Sequence, residues 1–186
     1  MSVLAAEPGE RVLDLCCGDG SLSRRFHAAQ AAEVVAVDFD PQATAHARRV
    51  NRAATIRFEV ADIRDGLPAG PFDHVAWDAA IEHFTEEEIA DVLEGIRSVL
   101  AGTGILTDYT IVERDEGLSL PQHEREFTGI EDLGTLLRRV FAHVWVFETD
   151  YPDRRNMYFY ATDDERRLPF SSGHLLFRLI PDGPAA

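Results

Sequence analysis

The sequence predicts an α/β fold with a doubly wound, mostly parallel sheet of seven strands and an antiparallel C-terminal hairpin. Three observations support this fold class. Residues 11–23, RVLDLCCGDGSLS, place an apolar run before a glycine-containing turn and a helix start. Short apolar runs then alternate with segments of helical periodicity as far as residue 109. Two aromatic, strand-like segments follow near the C-terminus, and strands that alternate with helices form parallel sheets with right-handed crossovers.

The first strand and the loop after it are the centre of this pattern. The turn contains Gly18 and Gly20, which let the backbone approach a ligand closely or adopt positive φ. Ligands of α/β sheets bind at the carboxyl ends of strands, beside a helix N-terminus. We expect a helix from about residue 21 to residue 30, with three side chains facing the sheet: Leu22, Phe26 and Ala29.

The second strand is expected in the buried apolar run of residues 34–37, which ends at Asp38. Asp40 followed by Pro41 is typical of a helix start, so the next helix should cover about residues 41–52.

Three more parallel strands complete the regular part, at residues 56–60, 72–77 and 104–109. Thr85 and Glu88 have the spacing of a capping box, which predicts a helix that ends near Gly102.

The C-terminal third departs from the alternation. Residues 110–127 show no clear period, and a long loop after a strand is often a functional lid. A second capping box, Thr128 and Glu131, predicts a helix through about Phe141 with Leu133, Leu136, Leu137 and Val140 inward. Strands at 143–151 and 156–163 should then form the hairpin. We expect one domain over residues 1–163 and a tail, 164–186, that adds a strand or a dimer contact.

Composition limits the partners. The chain has 186 residues and a net charge of -15, the wrong sign for a protein that binds nucleic-acid phosphates, so a small-molecule partner is favoured. Without an apolar run of roughly 20 residues or a secretion signal, we expect a cytoplasmic protein with no membrane partner. The two cysteines are adjacent and form a poor metal site, so no metal is expected.

One class of ligand that the glycine loop could bind is a dinucleotide. A dinucleotide fingerprint needs G-x-G-x-x-G/A and an acid about 20 residues later. Gly18, Gly20 and Ser23 match the fingerprint in part, and Asp38 lies at the required distance. These residues leave an NAD-dependent oxidoreductase open as an alternative.

Segments later in the chain favour a cofactor other than a dinucleotide. Four segments occur in a fixed order: Asp14, Cys16, Gly18 and Gly20; Asp38; Asp62 and Ile63; and Phe72 to Val75 with Ile81 to His83. Through these segments, residues 11–162 resemble the class I S-adenosylmethionine-dependent methyltransferases. The order of segments from Tyr109 to Asp163 resembles that of small-molecule methyltransferases of bacterial sugar or secondary metabolism. Cysteine at position 16 replaces the first glycine of the family motif.

The resemblance implies a Rossmann-like methyltransferase fold that binds S-adenosylmethionine. Asp38 would accept hydrogen bonds from the ribose hydroxyls, and Asp62 and the Ile63 amide would bind adenine. The implied cofactor-binding set is Asp14, Cys16, Gly18, Gly20, Asp38, Phe39, Asp62, Ile63 and Asp78. Asp14 would lie near the ammonium, directly or through water.

Methyl transfer to an oxygen or nitrogen of a small molecule requires a base only when the acceptor is protonated. His83 and His123 are the candidate bases, because histidine is suited to proton removal near neutrality. The short segment before the first strand leaves an acceptor pocket open or completed by a second copy, so a homodimer is retained as an option. A non-catalytic cofactor-binding or scaffold protein is the second alternative.

Overall fold

The computed structural model describes residues 2–112, 118, 120–150 and 155–169. Its sheet has seven strands in the order β3-β2-β1-β4-β5-β7-β6. They are β1 (Arg11–Leu15), β2 (Glu33–Asp38), β3 (Ile56–Val60), β4 (Phe72–Ala76), β5 (Leu100–Ile111), β6 (His143–Asp150) and β7 (Arg155–Thr162). β7 runs antiparallel to β5 and β6, and the pairs among β1 to β5 are parallel. The predicted fold class is therefore confirmed.

The described residues also form three α-helices and four shorter helical turns. The α-helices are α1 (Pro41–Val50), α2 (Glu86–Val99) and α3 (Ile130–Leu137). The 3-10 turns cover Ser2–Leu4, Ile81–His83 and Glu165–Arg167, and a π-helical turn covers Ser23–His27. Among the described residues, no helix is both long and apolar enough to span a membrane.

Two of the predicted helix starts are present. The Asp40 carboxylate accepts the Gln42 N–H at 2.7 Å, and Pro41 is the first residue of α1. Thr85 and Glu88 form the complete capping box of α2. Each cap satisfies backbone N–H groups that the first helical turn leaves unpaired.

The core lies on both faces of the sheet because successive side chains of a strand point to opposite sides. Leu13 and Leu15 of β1 belong to the larger cluster, which includes residues of α2 and α3. Val12 of the same strand packs on the other face with Ala47 of α1 and Phe58 of β3.

The helix predicted after the glycine loop is wrong in type and orientation. Residues 23–27 form a π-helical turn in which the Ala28 N–H donates to the Ser23 carbonyl at 3.0 Å. The three side chains expected to face the sheet, Leu22, Phe26 and Ala29, are exposed, while Ser23 and His27 are buried. Ser23 is drawn inward by a hydrogen bond to the buried Asp14 carboxyl, and His27 packs edge-on against His74.

The second predicted capping box is also wrong. The N-cap of α3 is Gly129, and the Asp132 carboxylate accepts hydrogen bonds from the Thr128 N–H and hydroxyl. The cap partner is thus Asp132 rather than Glu131. The four predicted inward residues of this region, Leu133, Leu136, Leu137 and Val140, are all buried.

Two boundaries differ from the prediction in the same direction. α2 ends at Val99, before the expected Gly102, and β5 begins at Leu100 instead of residue 104. At the C-terminal end, Arg167 is buried and binds Glu10, and Leu168 packs with Ala5 beneath the sheet. The tail strand or dimer contact was predicted for residues 164–186. Residues Glu165–Arg167 form a 3-10 turn, and residues 170–186 lie outside the described residues.

Candidate functional site

A cavity of about 480 Å³ opens at the carboxyl ends of β1, β2 and β4. This volume lies in the range of small-molecule sites, roughly 300–1,000 Å³. Five residues of the predicted cofactor set line it: Cys16, Asp38, Phe39, Asp62 and Ile63. The candidate base His83 lines it as well, together with Phe84 and Gln122. The strand ends therefore bring five of the nine predicted cofactor residues and one of the two candidate bases to one cavity.

The glycine loop has a backbone that few residue types adopt. Gly18 and Gly20 have φ values of 54° and 72°, in the left-handed region that favours glycine. Cys16 also lies there, with φ of 54°, at the position where the family motif has glycine. A Cβ atom on Gly20 would lie 2.4 Å from the Phe58 ring. Gly20 is therefore a packing requirement, and it does not line the cavity.

Asp38 joins this loop to the start of α1. Its two carboxylate oxygens accept the Gly18 N–H at 2.8 Å and the Asp40 N–H at 2.9 Å. Asp38 is 6 % exposed and lines the cavity. Since each carboxylate oxygen has a second lone pair, both can accept one more hydrogen bond from a ligand.

The far end of the cavity is formed by the loop after β3. Arg64 makes a bidentate ion pair with Asp62, with Nη2 to Oδ2 at 2.6 Å and Nε to Oδ1 at 2.9 Å. Hydrogen bonds from Arg64 lower the pKa of Asp62 and keep its carboxylate charged. Ile63 is buried beside it, and the Phe39 ring is 68 % exposed at the cavity rim. A flat aromatic ligand would meet an apolar rim and a charged acceptor here.

Three carboxyl groups crowd behind the loop. Burial raises the pKa of Asp14, the hydrogen bond from the Ser23 hydroxyl lowers it, and the nearby Asp78 and Asp38 carboxylates raise it, so that the pKa is about 7. Burial also raises the pKa of Asp78, and the pKa of Asp108 lies well above its usual range because of burial and of Asp78. The Asp108 Oδ2 atom has no hydrogen-bond partner among the described residues. A bound cation would relieve this repulsion.

Asp14 and Asp78 stand outside the cavity lining. Asp14 is 5 % exposed and accepts the Ser23 hydroxyl hydrogen bond. The Asp78 carboxylate accepts one from the Ser2 hydroxyl at 3.4 Å. Their effect on a ligand in the cavity would be electrostatic or would pass through water.

The two candidate bases lie against each other although they are far apart in the chain. The rings of His83 and His123 make an edge contact with centroids 4.9 Å apart. His83 is exposed at the cavity, whereas His123 is buried and its Nδ1 atom contacts the Glu126 carboxylate. The Glu82 carbonyl accepts the Glu124 N–H at 2.9 Å, which holds the loop of His123 on the turn that carries His83.

Sequence analysis did not single out some residues of the site. Arg64 lines the cavity, and its spacing of two residues from Asp62 was the available signal for their ion pair. Gln122 and Glu126 belong to the loop predicted as a lid, where no local pattern marks them. Cys16 has a neutral thiol, because burial raises its pKa to about 12, and it is therefore not a nucleophile.

Comparison with known proteins agrees with this geometry. The family model described as "Methyltransferase domain" matches residues 12–104. An uncharacterized methyltransferase of Synechocystis is 34% identical over 103 residues, covering 55% of this chain and 47% of that protein. The chain thus spans about half the length of that relative.

Solved structures share the fold at low identity. DhpI in complex with SAH has a TM-score of 0.67 and 19% identity, over 83% of this chain and 78% of that one. A putative methyltransferase complexed with the Haloferax volcanii activator Trm112 has a TM-score of 0.70 and 19% identity, over 87% of each chain. The family match covers half of the sequence, and its span contains the glycine loop and the lining acids. The resemblance to class I S-adenosylmethionine-dependent methyltransferases is confirmed, and the chain belongs to the methyltransferase domain family.

Proposed function

We propose that the protein binds S-adenosylmethionine and transfers its methyl group to an oxygen or nitrogen of a small molecule. The observation that carries the proposal is the group of carboxyls behind the glycine loop, Asp14, Asp78 and Asp108, next to a cavity of about 480 Å³. S-adenosylmethionine has an ammonium and a sulfonium, and both cations are favoured by such a field.

The nucleoside end fits the other lining residues. Asp38 would accept hydrogen bonds from the two ribose hydroxyls through its remaining lone pairs. Asp62 would accept from the adenine amino group, and the Ile63 amide would donate to a ring nitrogen. Phe39 offers an exposed ring at the cavity rim for contact with adenine. The DhpI structure is a complex with SAH, which supports this choice of cofactor for the shared fold.

The acceptor is proposed to bind on the side of His83, Phe84 and Gln122. Methyl transfer is an in-line displacement in which the acceptor's bond to carbon forms as the carbon–sulfur bond breaks, so positioning supplies much of the rate. The imidazole of His83 or His123 would take the acceptor proton. The net charge of -15 favours a small molecule over nucleic acid as the acceptor.

The same charges argue against the dinucleotide alternative. NADH has an anionic pyrophosphate, which the carboxyls behind the loop would repel. Isothermal titration calorimetry with S-adenosylhomocysteine and NADH separates the two cofactors. We expect micromolar or tighter binding of S-adenosylhomocysteine and weak binding of NADH, and the opposite preference would reject the proposal.

Catalysis is tested with a panel of amines, alcohols, phenols and sugars and methyl-labelled cofactor. Transfer of label to one class identifies the acceptor class. Tight cofactor binding without transfer to any member would favour the non-catalytic cofactor-binding alternative. Light scattering in the same buffer tests the homodimer that the sequence analysis retained.

A further inference from the structure

We propose that Glu82, His83 and His123 form a binding site for a divalent transition metal at the acceptor side of the cavity. Each of the three side chains offers a ligand atom within 4.8 Å of the others. Two of these residues come from the turn after β4, and the third comes from the loop after β5. If the three ligand atoms move closer together when a metal ion binds between them, each would reach an ordinary ligand distance of about 2.0–2.2 Å.

The orientation of the two imidazoles supports metal binding. The Nδ1 atom of His83 lies 3.2 Å from the Gln122 carbonyl oxygen, and a carbonyl can only accept, so Nδ1 carries the proton. The Nδ1 atom of His123 contacts the Glu126 carboxylate, which also accepts. In the neutral rings, the lone pair is therefore on Nε2 in both cases. Histidine ligands of metals are generally oriented by such a second hydrogen bond to a carbonyl or carboxylate.

The carboxylate ligand is oriented as well. Glu82 is 4 % exposed, and its Oε2 atom accepts the Thr110 hydroxyl at 3.0 Å. Its backbone carbonyl accepts the N–H groups of Glu124 and Arg125, at 2.9 and 3.2 Å. These bonds hold the two ligand-bearing segments together before any ion binds. The site is therefore largely preformed.

Two histidines and one carboxylate select the class of ion. This ligand set is typical of zinc hydrolases and of non-haem iron(II) enzymes, in which the protein leaves coordination positions open. Because His83 and Gln122 line the cavity, an open position would face the acceptor. We assign Zn²⁺ as the first choice, since it accepts nitrogen and oxygen ligands in this number without a redox partner.

The role of the ion rests on the proposed function. An acceptor hydroxyl bound to Zn²⁺ would lose its proton to water more readily. Its oxygen would then form a bond to the methyl carbon while the carbon–sulfur bond breaks, which leaves a neutral thioether. In this state the ion lowers the acceptor pKa, and the histidines serve as ligands instead of bases.

The test is a zinc titration of the whole protein after dialysis against a chelator. Competition with a chromogenic chelator should show one Zn²⁺ per chain, and Co²⁺ should give a visible ligand-field spectrum. His83→Ala, His123→Ala and Glu82→Gln should each weaken Zn²⁺ binding by at least about 10-fold, and Glu126→Gln by about 10-fold, because the Glu126 carboxylate orients the His123 ring. His46→Ala removes an exposed histidine of α1 and should leave Zn²⁺ affinity unchanged.

His83 is exposed, so His83→Ala is the variant that keeps the test valid if changes at buried Glu82 or His123 prevent folding. Equal Zn²⁺ affinity in the wild type, His83→Ala and His46→Ala would overturn the site, as would absence of binding. S-adenosylhomocysteine titrations of the same samples keep the two proposals separate. If the samples bind S-adenosylhomocysteine but do not bind Zn²⁺, the metal site alone is overturned. If they bind Zn²⁺ but do not bind S-adenosylhomocysteine, the proposed function alone is overturned.

Discussion

Substitution of Asp38 should weaken cofactor binding and also loosen the glycine loop. The carboxylate accepts the Gly18 and Asp40 N–H groups, and Asp38 lines the cavity. Each charge-assisted bond to a ribose hydroxyl is worth about 1.5–3 kcal/mol, so Asp38→Ala should cost about 3 kcal/mol of binding free energy. That is a roughly 100-fold increase in the Kd of S-adenosylhomocysteine.

The same substitution removes the acceptor of two backbone N–H groups. At about 1 kcal/mol each, their loss should lower the free energy of unfolding by about 2 kcal/mol, or the Tm by roughly 4–8 °C for a chain of this size. Asp40→Ala is the matched control, because Asp40 caps α1 with one bond to the Gln42 N–H and lies outside the cavity lining. It should lower the Tm by roughly 2–4 °C and leave the Kd unchanged.

Calorimetry gives the Kd, and circular dichroism confirms that both variants are folded at the temperature of the titration. A folded Asp38→Ala protein that binds S-adenosylhomocysteine as tightly as Asp40→Ala would refute the ribose-binding role. Equal losses of affinity in both variants would show that loop stability, and no direct contact, controls binding.

Three further changes test other parts of the site. Gly20→Ala should destabilise the fold by about 2–5 kcal/mol, since its Cβ would lie 2.4 Å from the Phe58 ring and the backbone is left-handed. In thermal unfolding, Gly20→Ala should lower the Tm more than the control Gly18→Ala, whose Cβ would have no atom within 4 Å. The pKa of Asp14, raised to about 7, should fall beside the cofactor ammonium, so S-adenosylhomocysteine should bind more tightly as the pH rises from 6 to 8. Calorimetry in two buffers of different ionisation enthalpy should detect the released proton, and Asp14→Asn should reduce both effects. Burial lowers the pKa of His27 to about 4, so between about pH 6.5 and 4 the unfolded chain binds a proton that the folded chain does not, and stability from this residue is lost as the pH falls. His27→Leu should therefore gain about 2 kcal/mol relative to the wild type when urea unfolding is moved from pH 7.5 to pH 5.

The strand pattern was predictable because local and global requirements coincide. The buried run before Asp38 is apolar on both faces, as a central parallel strand requires, and the strand is observed as Glu33–Asp38. The caps at Asp40 and Thr85 were predictable for the same reason, since a single short side chain satisfies the first turn of each helix.

The turn after the glycine loop was not predictable from periodicity. Leu22, Phe26 and Ala29 have helical spacing, yet a buried carboxyl group without a partner costs more than leaving Leu22 and Phe26 36 % and 37 % exposed. Ser23 supplies the hydrogen bond to Asp14, and the π-helical register places His27 on the same buried side. The requirement of one polar group therefore decides the orientation of the whole turn.

In the candidate site, the contacts between residues far apart in the chain were not predictable either. Sequence analysis could name Asp14, Asp38 and Asp78 separately, because each closes or follows an apolar run. It could not show that Asp78 and Asp38 both raise the pKa of Asp14, because that coupling depends on the adjacency of β2, β1 and β4 in the sheet. Nor could it place His83 against His123, whose loop returns to the turn after β4 through backbone hydrogen bonds to Glu82.

The parallel sheet brings acids that are far apart in the chain close together at one edge. Asp38 ends β2, Asp78 follows β4, and Asp14 and Asp108 lie near the carboxyl ends of β1 and β5, so these acids lie at the same edge of the sheet beside the cavity. In the unliganded protein, burial and, to a smaller extent, neighbouring acids raise the pKa values of Asp14 and Asp108. A ligand with an ammonium and a sulfonium would favour the ionised carboxylates that burial disfavours. Strand order and the proposed choice of a cationic cofactor therefore have the same physical basis.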